Sequence, residues 1–144
     1  GTSAAAQALL RLGRYFQDNQ LQDTAILVLG AHASNMNSHP ASATHMLSVL
    51  FEYFEEPWEM GIAARTQPQG QQLLKIVRER WWPARMSAAI EESKDDSLAW
   101  VAHFPESAKK EPAIYFCRNR KCLLPAKKSS ELAAFLDDQI PRWK

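Results

Sequence analysis

The hydrophobic period of this chain changes at residues 55–57, where the sequence reads Glu-Glu-Pro, and this change limits the possible folds more than any other feature. Before it, apolar residues recur at helical spacing through residues 2–54. After it, apolar residues alternate with other residues, as in a strand: Trp58, Met60, Ile62 and Ala64. The sequence therefore predicts a helical part over residues 1–56 and a small α/β part over residues 57–144.

Three helices are predicted in the first part. The first follows the capping hydroxyls of Thr2 and Ser3, and its polar residues form a single stripe predicted to face water: Gln7, Arg11, Arg14 and Asp18. The second is a buried helix that follows a cap at Asp23 or Thr24, although a strand at "AILVLGA" is also open.

The third helix is expected to start at Pro40, with Ser38 or His39 as its cap. Its predicted apolar face contains six residues: Ala43, Met46, Leu47, Leu50, Phe51 and Phe54. Helices that are apolar on several sides need partners on several sides, and three short helices cannot cover one another fully. Either the α/β part covers them, the chain self-associates, or the chain is a piece of a larger protein whose other parts cover them, and we favour the third.

The second part reads as strand, helix and strand, which predicts a right-handed crossover between parallel strands. The helix carries Leu73, Leu74, Val77 and Trp81 and ends at Pro83, and the second strand follows over residues 84–90. An acidic loop at 91–96 and a short helix near 97–103 precede a third strand at 113–117, and Ser129 begins the last helix. The expected fold is mixed α/β, with a helical part followed by a small, three-stranded, mainly parallel appendage.

Composition limits the setting in which the chain acts. The 144 residues carry a net charge of +1, which gives no overall attraction to nucleic acid or to a membrane surface. No apolar run approaches the roughly 20 residues that span a bilayer. Two cysteines cannot form a disulfide-rich scaffold. The expectation is a soluble, cytoplasmic chain with no membrane partner.

Cys117 and Cys122 form the candidate thiol pair, and their spacing leaves several interpretations open. Redox centres usually space two cysteines as C-x-x-C at a helix start, so the four intervening residues are less suitable. A zinc site needs about four ligands, and His103 is the nearest histidine in the sequence. A disulfide across a turn is possible if the Cα atoms come within about 7 Å. We favour two buried structural thiols, then a disulfide or redox pair, then metal.

Other candidate sites have a weaker pattern. His32, His39 and His45 do not share a helical face, so we predict loop and cap roles rather than a metal site. The loop at 65–72 contains a single glycine, Gly70, which favours an ordinary crossover turn over a phosphate loop. Four tryptophans could stack on sugars but are expected in the core: Trp58, Trp81, Trp82 and Trp100. A basic cluster is interpreted as a solvated face: Lys109, Lys110, Arg118, Arg120, Lys121, Lys127 and Lys128.

The segment "PAIYFCRNRKCLLPAKKSSELAAFL" resembles the terminal signature of the YyaL-type, spermatogenesis-associated thioredoxin-domain proteins. The matching residues are Pro112, Tyr115, Cys117, Arg118, Cys122, Pro125, Glu131 and Leu132. "GTSAAAQALLRLGRYFQD" is similar to a barrel helix of that family, with Thr2 and Lys121 as departures from its pattern. The family joins a thioredoxin-like domain to a helical region similar to the (α/α)6 barrels of N-acylglucosamine 2-epimerases.

The resemblance implies that the chain is the C-terminal part of such a protein and lacks the thioredoxin-like domain and most of the barrel. The first hypothesis is a non-catalytic structural and interaction segment without a cofactor, which completes the helical barrel and docks on the absent domains. The second is a part of an enzyme that contributes the thiol pair or a wall to a shared redox or sugar-active site. The third and least favoured is a nucleic-acid-binding module. The substrate and reaction of the whole protein do not follow from these residues.

Overall fold

The computed structural model describes residues 1–63, 66–80, 85–90, 100–101, 104, 111–118, 121–123 and 125–139. These residues belong to two compact units. The helical unit contains Gly1–Glu56 together with Trp100, and the sheet unit contains the other described residues from Pro57 onward. Three predicted features lie outside the described residues: the tryptophans and proline at 81–83, the acidic loop at 91–96, and most of the short helix at 97–103.

The helical unit has four helices where three were predicted. They are α1 (Thr2–Phe16), α2 (Asn19–Ala31), α3 (Ala33–Ser38) and α4 (Thr44–Phe54). The expected helix start at Pro40 is wrong, because residues 39–43 form turns in which the N–H groups of Ser42 and Ala43 donate to the His39 carbonyl. The Ser42 hydroxyl donates to the same carbonyl at 2.9 Å, which stabilises the turn and delays the helix to Thr44.

The start of α2 also differs from the prediction, although its helical state is confirmed over "AILVLGA". Asp18, rather than Asp23 or Thr24, is the N-cap, and its carboxylate accepts from the N–H groups of Gln20 (2.8 Å) and Leu21 (3.2 Å). Gln17 ends α1 in the left-handed region with φ of 54°. Two residues thus connect the helices, which makes α1 and α2 a short helical hairpin.

Gly13 permits the close approach of the two helices in this hairpin. A Cβ at this position would lie 2.9 Å from the Asp18 carbonyl oxygen and 2.9 Å from the Gln22 backbone nitrogen. Both are backbone atoms, so a methyl group could be accommodated only by moving the hairpin. A Cβ added to Gly30 in α2 would meet no other atom within 4 Å.

The core of the helical unit lies between α1, α2, α3 and α4. Its buried members are Ala6, Leu10, Ala25, Leu29, Met36, Met46 and Val49. Burial of a leucine or valine side chain of this kind stabilises a fold by about 1.5–3 kcal/mol. The small residues Ala6 and Ala25 face each other's helices in this core, which suits closely packed backbones.

The polar stripe of α1 is partly exposed, and two of its residues also contact a buried carboxylate on α4 that the sequence did not predict. Glu52 is the only buried charged residue of the described chain. Its carboxylate accepts from Arg11 Nε at 2.7 Å, from Arg11 Nη2 at 3.0 Å and from Gln7 Nε2 at 3.0 Å. The hydrogen bond with Glu52 raises the pKa of Arg11 above its ordinary value. A buried charge that is hydrogen-bonded in this way is tolerated in a fold.

Arg14 joins α1 to the end of α4 by a different set of acceptors. Its Nη2 donates to the backbone carbonyl oxygens of Glu52 (2.8 Å), Tyr53 (3.1 Å) and Glu55 (3.0 Å). The last carbonyls of a helix lack intrahelical donors, and a cation there is favoured by the helix dipole. Burial lowers the pKa of this guanidinium relative to its ordinary value. Arg14 therefore caps the C-terminus of α4.

The sheet unit contains β1 (Trp58–Ala63), α5 (Pro68–Arg78), β2 (Arg85–Ala89), β3 (Ala113–Arg118), β4 (Lys121–Cys122) and α6 (Ser129–Gln139). The strand order is β2-β1-β3-β4. The predicted parallel pair is confirmed, since β1 and β2 run parallel on either side of α5 in the sequence. The prediction of three mainly parallel strands is wrong, because β3 runs antiparallel to β1 and β4 runs antiparallel to β3.

One face of this sheet packs against α5 and α6. The buried residues of this core are Met60, Ile62, Leu73, Leu74, Val77, Ile114, Phe116, Ala126, Leu132 and Leu136. Aromatic rings close one end, where Phe116 stacks on Phe135 at 4.3 Å and Trp58 meets Phe135 edge-on at 5.5 Å. On the opposite face, the Phe104 ring covers Gly61, so that a Cβ on Gly61 would lie 2.9 Å from that ring.

We expect Gly13→Ala to lower the free energy of unfolding by about 1–3 kcal/mol, since an added methyl group overpacks the α1–α2 hairpin. Gly30→Ala is the matched control, because open space and a helical position should make it neutral or stabilising by up to about 1 kcal/mol. Urea unfolding followed by far-UV circular dichroism measures both. Equal midpoints for the two variants would contradict the role given to Gly13.

We expect Glu52→Ala to destabilise the helical unit by about 1–3 kcal/mol, because it leaves polar groups of Gln7 and Arg11 without their acceptor. The Arg11 side chain is 48% exposed, so water screens part of this effect. Glu56→Ala removes the same charge from an exposed position and should change stability by less than about 0.5 kcal/mol. Thermal unfolding of both variants tests this, and equal losses would contradict it.

Candidate functional site

The two cysteines of the terminal signature lie directly opposite each other in a hairpin. Cys117 on β3 is the register partner of Cys122 on β4, with Cα atoms 4.0 Å apart, and the two sulfur atoms are bonded. Cys117 is buried and Cys122 is exposed. The prediction of two buried free thiols is therefore wrong, because the two cysteines form a disulfide. The next register pair is Arg118 with Lys121, so two residues connect the strands.

Strand alternation separates the disulfide from the basic residues around it. Cys117 and Cys122 share one face of the hairpin, while Arg118 and Lys121 lie on the other. The Arg118 guanidinium lies over the Trp58 ring at 5.6 Å from the ring centroid. The register partner of Cys117 on β1 is Glu59, an acidic residue. Among the described residues, the cross-strand neighbour of Cys117 on β1 is therefore acidic, whereas reactive cysteines usually have basic neighbours.

The other signature residues hold β3, β4 and α6 together. Tyr115 is buried against Phe104, with ring centroids 6.0 Å apart, and burial raises the pKa of its hydroxyl. Glu131 Oε2 accepts from the backbone N–H groups of Lys127 and Lys128, both at 3.2 Å, at the start of α6. Leu132 is fully buried in the sheet core.

Pro112 and Pro125, the two prolines of the signature, are half-buried at the ends of the hairpin. Pro112 directly precedes β3. Pro125 lies between Leu123, whose N–H donates to the Phe116 carbonyl, and Ala126, which exchanges both backbone bonds with Ile114. From the Cys117–Cys122 pair to the Ile114–Ala126 pair, the chain advances by three residues on β3 and by four on the opposite side. The pairing is therefore interrupted near Pro125, where a proline, which has no N–H to donate, is suitable.

The described part of the basic segment is largely engaged within the sheet unit. Lys127 forms an ion pair with Glu111, which raises the pKa of Lys127 and lowers that of Glu111. Lys128 lies 3.9 Å from Glu131. Lys109, Lys110 and Arg120 lie outside the described residues. Of the described basic residues, Lys127, Lys128 and Arg118 thus have contacts within the sheet unit.

The predicted loop or cap roles are confirmed for His32 and His39 but are wrong for His45, which is a residue of α4. His32 lies between α2 and α3, His39 follows α3, and His45 is in the first turn of α4. His32 and His45 line one cleft of about 200 Å³, and His39 is not part of its lining. Among the described residues, no cluster of three histidine, cysteine or acidic side chains could hold a metal ion.

The segment at 65–72 differs from the predicted loop. Pro68 begins α5, so Gly70 is a buried helical residue rather than part of a turn. The Gln69 side-chain amide donates to the Lys127 carbonyl at 2.9 Å, which ties the start of α5 to the residues before α6. The first turn of α5 therefore contacts the segment before α6 within the sheet unit.

Exposed apolar side chains occur on three of the four helices of the helical unit. We call them the exposed apolar set: Leu12 and Phe16 on α1, Ile26 and Leu27 on α2, and Phe51 and Phe54 on α4. Leu27 and Phe54 are each 73% exposed. The predicted apolar face of α4 is correct for Met46, which is buried, but wrong for Phe51 and Phe54, which are exposed. Val49, which was not part of that predicted face, is also buried. No helix of the described chain is both long and apolar enough to cross a membrane.

We expect Cys122→Ser to lower the free energy of unfolding by about 2 kcal/mol, the loop-closure effect of a short disulfide. The variant should be insensitive to dithiothreitol, while the original chain should lose a similar amount on reduction. Urea unfolding with and without reductant measures all four states. The interpretation is contradicted if the variant and the oxidised chain unfold at the same urea concentration.

A comparison of the chain with protein-family models, with curated proteins and with solved structures gives no match. The resemblance to the YyaL-type proteins therefore stays a prediction that rests on the residues of the signature. Within the fold, those residues form the contacts of one hairpin and one helix, as described above.

Proposed function

We propose that this chain is a structural and docking segment of a larger protein of the YyaL type. In this proposal its helices form part of the wall of an (α/α) barrel, and further helices of the same protein cover the exposed apolar set. The single observation that carries the docking role is that set, with side chains such as Leu27 and Phe54 largely in water. Exposed apolar clusters of this kind commonly mark interaction sites.

The energy of covering these side chains is large enough to drive association. Burial of one leucine or phenylalanine is worth about 1.5–3 kcal/mol. Six such residues could therefore supply several kcal/mol even after the entropic cost of ordering two surfaces. The exposed apolar set contains no charged residue, so its burial strands no uncompensated charge.

The local helical geometry is compatible with a barrel wall. The α1–α2 hairpin has a two-residue connection, and hairpins of this kind are the repeating unit of helical barrels. A barrel wall packs each hairpin on neighbouring hairpins, which would account for apolar side chains outside the core of the unit. The redox alternative has less support, because Glu59 rather than a basic residue is the register partner of Cys117.

We expect the chain on its own to self-associate or to bind a hydrophobic dye, and Leu27→Glu together with Phe54→Glu to abolish both. The added charges make burial of this set unfavourable while leaving the core intact. Leu123→Glu is the matched control, since Leu123 is 46% exposed but belongs to the sheet unit. Sedimentation velocity and dye fluorescence at several protein concentrations are the measurements.

A monomeric chain without dye binding would contradict the docking role. The family part has a separate test, which is the coding sequence upstream of Gly1. Helical hairpins and a thioredoxin-like domain are expected there, and a different upstream protein would refute the family assignment without affecting the dye result.

A further inference from the structure

A chain of hydrogen bonds in the helical unit ends at a serine hydroxyl. Ser3 Oγ lies 3.0 Å from His45 Nδ1, and His45 Nε2 lies 3.3 Å from Gln7 Oε1. The Gln7 side-chain amide donates to Glu52 Oε2 at 3.0 Å. These four residues come from α1 and α4, and their order is a hydroxyl, an imidazole, an amide and a buried carboxylate. A hydroxyl beside an imidazole that is itself oriented by a further group is the arrangement of an activated nucleophile.

The donors and acceptors of this chain can be assigned from its buried end. Both Glu52 carboxylate oxygens accept from Arg11, and Oε2 also accepts from Gln7, so Gln7 presents its NH2 group to Glu52 and its oxygen to His45. The Gln7 oxygen accepts from His45 Nε2–H, which leaves a lone pair on Nδ1. Ser3 Oγ–H then donates to that lone pair. This tautomer is the one that a general base requires.

The serine and the histidine both line the cleft of about 200 Å³ in the helical unit. Its lining is mixed, with apolar Met36 and Met46 beside polar Asn35 and His32. This volume is below the roughly 300–1,000 Å³ of typical small-molecule pockets, so only a ligand of a few heavy atoms would fit within the cleft. Ser3 therefore faces a space in which a reactant could lie, rather than the bulk core.

We propose that Ser3 and His45 form a nucleophile and general-base pair that hydrolyses esters of short carboxylic acids. Ser3 Oγ attacks the ester carbonyl carbon while its proton moves to His45 Nδ1. The tetrahedral oxyanion collapses, the bond from carbon to the alcohol oxygen breaks, and the alcohol leaves with the proton from His45. Water then attacks the acyl-serine, gives a proton to His45, and releases the acid as the proton returns to Ser3. No electrons are transferred in any of these steps.

In this site Gln7 is a positioning residue, and Glu52 acts through it. Neither touches the reacting atoms, but the carboxylate fixes the orientation of the Gln7 amide and thereby the tautomer of His45. This activity is independent of the docking role, and it differs from the non-catalytic function that the sequence favoured. The docking set and the cleft share no residue.

The first test is covalent labelling with an alkyl fluorophosphonate. Ser3 Oγ forms the bond to phosphorus, fluoride leaves, and the serine proton passes to His45. Peptide mass spectrometry should locate the label on Ser3 of the original chain, with no label at that position in Ser3→Ala. A label spread over other hydroxyls at an equal rate, or no label on Ser3, overturns the proposal.

The second test measures hydrolysis of p-nitrophenyl butyrate. Ser3→Ala and His45→Gln should each lower kcat/KM by about 100-fold or more, the range of a lost general base. Ser48→Ala is the matched control, because Ser48 is on α4 with His45 but donates to the Thr44 carbonyl, and its rate should be unchanged. A rate in Ser3→Ala equal to that of the original chain refutes the proposal.

A third variant separates positioning from folding. Gln7→Leu should lower kcat by about 10-fold with little change in KM, because Gln7 orients the imidazole and does not touch the substrate. Its thermal unfolding temperature is measured in the same buffer. If kcat is retained, or falls only in proportion to the unfolded fraction, the role given to Gln7 is wrong.

Discussion

The structure of the helical unit depends on one buried carboxylate. Glu52 of α4 is 7% exposed, and burial of such a charge is unfavourable unless donors surround it. Gln7 and Arg11 supply those donors from α1, which is 41 to 45 residues away in the sequence. Arg14 adds the last carbonyls of α4 to the same contact. Because α2 and α3 lie between α1 and α4 in the sequence, their path must allow α1 to contact α4.

Much of the fold could be predicted from periodicity, because period reports which side of a local element is apolar. The change at residues 55–57, the strands β1 and β3, and the parallel β1–β2 pair all agree with the structure. The prediction that the polar stripe of α1 faces water holds for Arg11, which is 48% exposed, but it did not include the contacts of Gln7 and Arg11 with the buried Glu52. A single glutamate inside the apolar run of α4, "LSVLFEYF", was the available signal that α1 would bring donors to it.

The direction of β3 could not be read from its own residues. An apolar strand pattern is the same in either direction, and the antiparallel pairing with β1 depends on a long connection between β2 and β3. The cysteine pair had a clearer signal. Four residues lie between the two cysteines. When the middle two connect the strands and the outer two, Arg118 and Lys121, form a register pair, Cys117 and Cys122 lie directly opposite each other. From the sequence alone, this disulfide is considered but ranks below two buried thiols, because the spacing differs from the C-x-x-C of redox centres.

The residues with the strongest sequence motif are not the residues that we propose to be catalytic. The terminal signature has the strongest sequence pattern, yet its cysteines, Tyr115 and Glu131 are used in contacts of the sheet unit. Ser3 and His45 have no pattern, since 42 residues separate them, and only the contact between α1 and α4 brings them together. That contact exists because Glu52 needs donors. The same carboxylate thus accounts for the stability of the unit and, through Gln7, for the tautomer of the imidazole beside Ser3.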